Sequence, residues 1–187
     1  MINEPLRILI IEDLPTDAAL IQRQVTKIIE HPEIRVVDGL VNFKVALKEF
    51  IPDVVLSDYK LVGFNGLDVL HIMKEREPNT IFIFVTGTLN DEELAARTIL
   101  EGASGYLLKN NINELGERLE PIIANALQKN KVHQEKLQEE RAKRDAMEEM
   151  LFYLNQIEVK TSGEKERIKE LMTLLGKIKK QEKEDNR

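Results

Sequence analysis

Five short, mostly apolar runs, separated by segments with helical spacing, constrain this chain more than any other feature of its sequence. The runs are "LRILII" (6–11), "EIRVVD", "DVVLS", "TIFIFV" and "SGYLLK". Near-continuous apolar runs are typical of strands buried on both faces of a parallel sheet. The segments between them, such as "DAALIQRQVTKIIE", place apolar residues three and four positions apart, which predicts helices. We therefore predict an α/β fold: a doubly wound sheet of five parallel strands with helices on both faces.

Polar residues able to do chemistry follow four of these runs. Glu12 and Asp13 follow the first, Asp58 follows the third, Thr86 follows the fourth, and Lys109 ends the fifth. In such sheets, ligands bind beyond the carboxyl ends of the strands, where the strand order reverses. Polar residues are also common at strand ends simply because loops are exposed, which is the alternative for any one of them. Their combination favours one shared site.

The charges of this predicted site need a counter-ion. Two carboxylates about 4 Å apart repel by roughly 4 kcal/mol at an effective dielectric near 20, and three are worse. Such a cluster holds either protons or a cation. The chain has no cysteine, and oxygen ligands favour a hard divalent ion, of which Mg²⁺ suits best. With Lys109 as a second positive charge and Thr86 as a donor, the site suits a phosphoryl group and Asp58 suits the nucleophile.

Four separated motifs resemble a known family in both order and spacing. "ILIIEDLPTDAALI", "PDVVLSDYKLVGFNGLDVL", "FVTGT" and "EGASGYLLK" resemble the receiver domain of two-component response regulators, over about residues 5–128. The resemblance implies a flavodoxin-like sheet with strand order 2-1-3-4-5. It also implies a phosphoryl group taken from a histidine kinase or a phosphotransfer protein, and self-catalysed transfer and hydrolysis as the only catalysis, so we do not expect an enzyme in the ordinary sense.

The resemblance also implies roles for individual residues. Asp58 would be the phospho-acceptor, and Lys109 would pair with the phosphoryl group. Mg²⁺ would be held by Glu12, Asp13, Asp58 and the backbone carbonyl of Tyr59.

Further residues would respond to the phosphoryl group or set its lifetime. Thr86 would turn inward to bond it, and Tyr106 would move between exposed and buried positions. An ordinary amphipathic aromatic at a sheet edge is the alternative for Tyr106. Lys60, two positions beyond Asp58, and Thr88, two positions beyond Thr86, would tune the rate at which the phosphoryl group is hydrolysed. The sequence departs from the common family pattern at Leu14, Val62 and Asn110, but none of these departures removes a chemical group.

The charge balance changes near Gln128. Residues 1–128 hold 12 Lys/Arg and 20 Asp/Glu, whereas residues 129–187 hold 15 and 13. We therefore predict a receiver domain over 1–128 and a charged helical or coiled-coil extension over 129–187. One helix is expected from Pro121 to about Val159, and a second after "TSGE", so that the two could form a hairpin. A coiled-coil seam can be drawn along the first helix through His133, Leu137, Glu140, Arg144, Met147, Leu151 and Leu154.

The extension has two readings. A helix that joins two copies in a homodimer, or relays a signal to a partner, is favoured by the apolar stretch from Met147 to Ile157. A solvated helix stabilised by pairs of opposite charges four residues apart is the alternative.

Composition excludes several function classes. The net charge of −6 argues against a nucleic-acid partner, and no segment resembles a signal peptide or a membrane span. The lack of cysteine fits a cytoplasmic protein. The favoured function is a phospho-accepting signalling module whose phosphorylation changes the docking or dimerisation of its tail. The alternatives are a non-phosphorylated scaffold with the same fold, and an aspartyl-phosphate phosphatase. Phosphatases of that kind usually carry a second acid two residues after the nucleophile, and Lys60 occupies that position here.

Overall fold

The computed structural model describes residues 1–87, 92–156 and 166–174. The strands are β1 (Leu6–Ile11), β2 (Pro32–Val37), β3 (Val54–Ser57), β4 (Lys60–Leu61), β5 (Phe64–Asn65), β6 (Ile81–Thr86) and β7 (Gly105–Leu108). The α-helices are α1 (Pro15–Ile28), α2 (Leu40–Glu49), α3 (Gly66–Arg76), α4 (Glu92–Leu100) and α5 (Leu115–Gln156). A 3₁₀ helix (Lys109–Glu114) joins β7 to α5, and residues 166–174 are also helical.

The five long strands form one parallel sheet in the order β2-β1-β3-β6-β7. Numbered among themselves along the chain, these strands lie in the order 2-1-3-4-5, so the predicted fold is confirmed. The order reverses at β1, whose neighbours are β2 and β3. The carboxyl ends of β1 and β3 are in register, because Ile11 is paired with Ser57. The residues that follow these two strands are therefore brought to the same edge of the sheet.

Both faces of the sheet are covered, which explains the near-continuous apolar runs. Alternate residues of β1 enter different clusters. Ile8 and Ile10 pack with apolar residues of α1 and α5, whereas Leu9 and Ile11 pack with apolar residues of α2 and α3. All four of these side chains are fully buried. Burying an aliphatic side chain of this size stabilises a fold by about 1.5–3 kcal/mol, so β1 is held firmly between the two helical layers.

A short antiparallel hairpin, β4–β5, follows the third strand of the sheet. The sequence predicted no strand here. Lys60 pairs with Asn65 and Leu61 with Phe64, so Val62 and Gly63 form the two-residue turn. Gly63 has a φ of 82°, a conformation that glycine adopts without the steric cost that a side chain brings. Hairpins of two residues per strand carry almost no pattern, which is why the sequence did not reveal it.

The start of the last long helix differs from the prediction, which placed it at Pro121. A 3₁₀ helix follows β7, and α5 then begins at Leu115, so that Pro121 lies inside it. Proline within a helix costs about 3 kcal/mol, through a lost hydrogen bond and a clash. Leu115, Leu119 and Ile123 lie four positions apart and are fully buried in the same cluster as Ile8. Their burial outweighs the cost of the proline.

The chain divides into two units, Met1–Asn130 and Lys131–Arg187. In the second unit, the helical segment to Gln156 exposes several large apolar side chains, namely Val132, Leu137, Met150, Phe152 and Tyr153. Of the predicted seam, Met147 and Leu151 are partly buried and His133 and Leu137 are exposed. The predicted hairpin turn after Val159 lies outside the described residues. No described helix has a stretch long and apolar enough to cross a membrane.

Candidate functional site

The sheet register assembles the predicted pocket. Glu12 continues β1 and donates its backbone N–H to the carbonyl of Val37, and Asp58 continues β3 and donates its own to the carbonyl of Ile11. Both acids are thus held by backbone hydrogen bonds in line with their strands. Both residues are buried, and burial of a charged side chain requires a partner.

Lys109 supplies that partner for three carboxylates at once. Its Nζ lies 2.6 Å from Oε2 of Glu12, 2.7 Å from Oδ2 of Asp58 and 3.0 Å from Oδ2 of Asp17. Lys109 follows β7, at the edge of the sheet, and its side chain is only 9% exposed. An ammonium has three N–H groups, and each has an acceptor here. The sequence prediction that Glu12, Asp58 and Lys109 converge is confirmed by these distances.

Burial and charge act in opposite directions on these groups. Burial is the largest influence on the pKa of Glu12 and raises it above its ordinary value, against the lowering effect of Lys109. Burial also lowers the pKa of Lys109. The hydrogen bonds to Asp58, Glu12 and Asp17 together outweigh it, so that the pKa of Lys109 lies above its ordinary value. The ammonium therefore stays protonated at every physiological pH and gives the pocket a fixed positive charge.

Asp13, the second acid of the pair, points elsewhere. Its Oδ2 accepts the backbone N–H of Val62, at the tip of the β4–β5 hairpin, at 3.2 Å. In the described part of the chain, no three His, Cys, Asp or Glu side chains have metal-ligating geometry. The donor set is nevertheless all oxygen, as Mg²⁺ prefers: three carboxylates and the carbonyl of Tyr59. That carbonyl accepts the N–H of Gly66 at 2.9 Å and has a second lone pair.

The second oxygen of Asp58 is also held. Its Oδ1 accepts the backbone N–H of Lys60 at 3.2 Å, while the Lys60 side chain is exposed. Gly66 lets the chain pass close to the backbone of Asp58. A Cβ at Gly66 would lie 2.5 Å from Cε1 of Phe84 and 2.6 Å from the carbonyl oxygen of Asp58. Only glycine fits there without displacing the backbone of Asp58.

The predicted switch residues lie on neighbouring strands. Thr86 ends β6, is buried, and is paired with Leu108, the residue before Lys109. Tyr106 lies on β7 opposite Phe84. It is partly buried and packs against the apolar cluster that contains Leu9, Ile11 and residues of α2 and α3. Their movement remains a prediction. Thr88, the second predicted tuning residue, lies outside the described residues.

One member of the site was missed from the sequence. Asp17 lies in the first turn of α1 and reaches Lys109 from the helix, not from a strand end. A search restricted to strand ends could not find it. The signal was its position: Asp17 is four residues after Asp13 and near the start of a helix that leaves the same edge of the sheet.

Comparisons with known proteins agree with this geometry. A model of the response regulator receiver domain matches residues 8–120. The chain is 30% identical over 153 residues to the nitrate/nitrite response regulator protein NarL of Escherichia coli K12, covering 72% of this chain and 68% of NarL. Regulatory protein LuxO of Vibrio vulnificus YJ016 is 32% identical over 84 residues, 45% of this chain and 18% of LuxO.

A solved structure shares the fold. The response regulator receiver domain protein from Clostridium thermocellum superimposes with a TM-score of 0.57 at 25% identity, over 68% of this chain and 98% of that one. The family match includes all five strands of the sheet, apart from the first two residues of β1, and the strand ends that form the pocket. The chain therefore belongs to the response regulator receiver family of two-component systems.

Proposed function

We propose that this chain accepts a phosphoryl group on Asp58 from the phosphohistidine of a kinase or phosphotransfer protein. Phosphotransfer with Mg²⁺ is a general property of receiver domains. The observation that carries the proposal is the bond from Lys109 to Asp58 at 2.7 Å, in a pocket that also holds the Glu12 carboxylate. A carboxylate with a fixed ammonium beside it is suited to receive a group whose charge must be neutralised.

The transfer balances without another reactant. A carboxylate oxygen of Asp58 forms a bond to phosphorus as the phosphorus–nitrogen bond of the donor histidine breaks. The electron pair of that bond stays on the imidazole nitrogen, which takes up a proton. Lys109 remains an ammonium throughout, because its pKa is raised by its carboxylate partners. The backbone N–H of Lys60 holds Oδ1 of Asp58 and so fixes the orientation of the nucleophile.

Mg²⁺ fits the same donor set. The carboxylates of Glu12, Asp13 and Asp58 and the carbonyl of Tyr59 would hold it. The ion would neutralise charge on the phosphoryl oxygens. On this proposal, Asp13 would give up its bond to the N–H of Val62 in order to face the ion.

The output is proposed to pass through β6, β7 and the tail. Thr86 and Tyr106 would shift as the phosphoryl group binds, in a change of population between two states. The tail would join two copies of the chain, because it exposes Phe152 and Tyr153, each 58% exposed, near the end of α5. Exposed aromatic side chains of this size favour burial against a second surface. We place this module in the cytoplasm, the compartment expected for a receiver without cysteine.

A single experiment tests the phosphorylation. The chain is incubated with Mg²⁺ and acetyl phosphate, and its intact mass is measured over time. We expect one added phosphoryl mass that Asp58→Asn abolishes, while Asp53→Asn, which removes an acid at the other end of β3, retains it. A wild-type chain that gains no phosphoryl mass would favour the alternative of a non-phosphorylated scaffold with the receiver fold. Rapid turnover of many phosphate esters would favour the phosphatase.

A further inference from the structure

Asp17 differs from the other two carboxylates that bind Lys109. Its bond to Nζ is the longest of the three, at 3.0 Å against 2.6 Å for Glu12 and 2.7 Å for Asp58. Its side chain is also the most accessible, at 27% exposed against none for Glu12 and 11% for Asp58. Asp17 therefore has the weakest geometry and the best access to water.

The donors of Lys109 are fully used before any phosphoryl group arrives. A phosphoryl group on Asp58 brings three more acceptor oxygens into a pocket whose ammonium has three N–H groups, all engaged. The N–H that binds Asp58 can pass to the phosphoryl group once Asp58 is phosphorylated, and a second N–H becomes available only if Glu12 or Asp17 gives way. Releasing Glu12 from Lys109 would leave a fully buried carboxylate that only the proposed Mg²⁺ could pair with. Releasing Asp17 costs far less, because water can replace the lost bond.

We propose that Asp17 is a positioning residue that draws Lys109 towards α1 and so opposes the binding of phosphoryl groups at Asp58. This inference rests on the proposed phosphorylation of Asp58. Asp17 acts in two ways: it occupies the third N–H of Lys109, and its negative charge repels the incoming dianion across a few ångströms. Glu12 and Asp58 suffice to keep the ammonium in the pocket.

The test compares charge and shape at this position. Phosphorylation of the full chain by acetyl phosphate with Mg²⁺ is followed by intact mass as the donor concentration is varied. For Asp17→Asn, we expect the apparent KM for the donor to fall roughly 3- to 10-fold, while the limiting rate constant changes less than about twofold. Asp17→Glu, which restores the carboxylate, should return the KM to near the wild-type value.

A matched control removes the same charge elsewhere. Glu75 is exposed on α3, and Glu75→Gln should leave the KM unchanged, which separates a local effect from one of net charge. Thermal melting of each variant reports whether it is folded. If Asp17→Asn does not fold, Asp17→Ser is a second neutral replacement.

Three results would overturn the inference in distinguishable ways. If neutral variants keep the wild-type KM, Asp17 does not oppose the donor. If they lower the limiting rate at an unchanged KM, Asp17 instead orients Lys109 for the reaction. If the wild-type chain gains no phosphoryl mass at all, the proposed function fails, and this inference fails with it.

Discussion

Nζ of Lys109 lies 2.6 Å from Oε2 of Glu12, although the two residues are 97 positions apart in the chain. Glu12 follows β1, the second strand from one edge of the sheet, and Lys109 follows β7 at the opposite edge. The bond therefore crosses the carboxyl ends of β3 and β6. Its loss should change both the stability of the fold and the dependence of that stability on pH.

Replacing Lys109 by methionine should destabilise the fold. The carboxylate of Glu12, fully buried, would lose its ammonium partner, and breaking a buried pair from one side costs about 3–5 kcal/mol. Urea denaturation followed by circular dichroism measures the free energy of unfolding. Lys60→Met is the control: this side chain is exposed, so we expect a change within about 0.5 kcal/mol. Equal effects of the two substitutions would contradict a structural role for the ammonium.

The contribution of Lys109 should disappear at high pH. Its folded-state pKa is raised, so folding favours the protonated form. This stabilisation is complete below the unfolded-state pKa of about 10.4 and is lost as the pH rises above it. We expect the stability difference between the wild type and Lys109→Met to stay constant from pH 7 to 9 and to shrink by pH 11. Urea denaturation across this range measures it, and a difference that grows with pH would show the opposite sign of linkage.

Gly66→Ala should damage both the fold and the acceptor. The new methyl group would meet the Phe84 ring at 2.5 Å and the carbonyl oxygen of Asp58 at 2.6 Å. Overpacking of this kind costs about 1–3 kcal/mol, and the displaced Asp58 backbone should slow phosphorylation by acetyl phosphate. Gly39→Ala, where a Cβ meets nothing within 4 Å, is the control for both measurements. A variant that keeps wild-type stability and rate would show that the acceptor loop yields easily.

Pro121→Ala should stabilise the first unit. Alanine restores the helical N–H that proline lacks and removes the ring clash, a gain of about 1–3 kcal/mol within a helix. The buried neighbours Leu119 and Ile123 are unchanged by this substitution. Urea denaturation measures the gain in the free energy of unfolding, and thermal melting measures the accompanying rise in Tm. A loss of stability would mean that the proline ring itself packs in the core.

Met147→Lys should weaken the proposed dimer. Met147 lies on the predicted seam and is partly buried even within one chain, so a charge there would enter the interface of two paired helices. We expect the dimer dissociation constant to rise at least about tenfold in analytical ultracentrifugation. Ala146→Lys adds the same charge one position away, on an exposed face, and should have little effect. A wild-type chain that stays monomeric at high concentration would remove the proposal altogether.

The sheet could be predicted because its signal is local and repeated. Ile8 to Ile11 are apolar without a break, and such runs require cover on both faces, so β1 and its neighbours were evident. The convergence of Glu12, Asp58 and Lys109 followed from parallel strands in register. Each of these inferences needed only the identity of a residue and its place at the end of a run.

The parts that could not be predicted depend on tertiary contacts. Asp17 joins the pocket through the direction in which α1 leaves the sheet, which no periodicity reports. Pro121 sits inside α5 because burial of Leu115 and Leu119 outweighs a strong local preference. The bond from Val62 to Asp13 depends on a hairpin of two residues per strand.

The strand order has a last consequence for how the pocket comes into being. Glu12 and Asp58 follow the first and third of the sheet's five strands in the chain, whereas the ammonium that pairs with both arrives only after the final strand, next to β6. Until β7 docks, the ammonium of Lys109 does not lie between Glu12 and Asp58. The negative charges of the two acids then repel one another, whereas in the complete fold both are paired with Lys109. The lysine that pairs with both acids therefore reaches the pocket in the same event that completes the sheet.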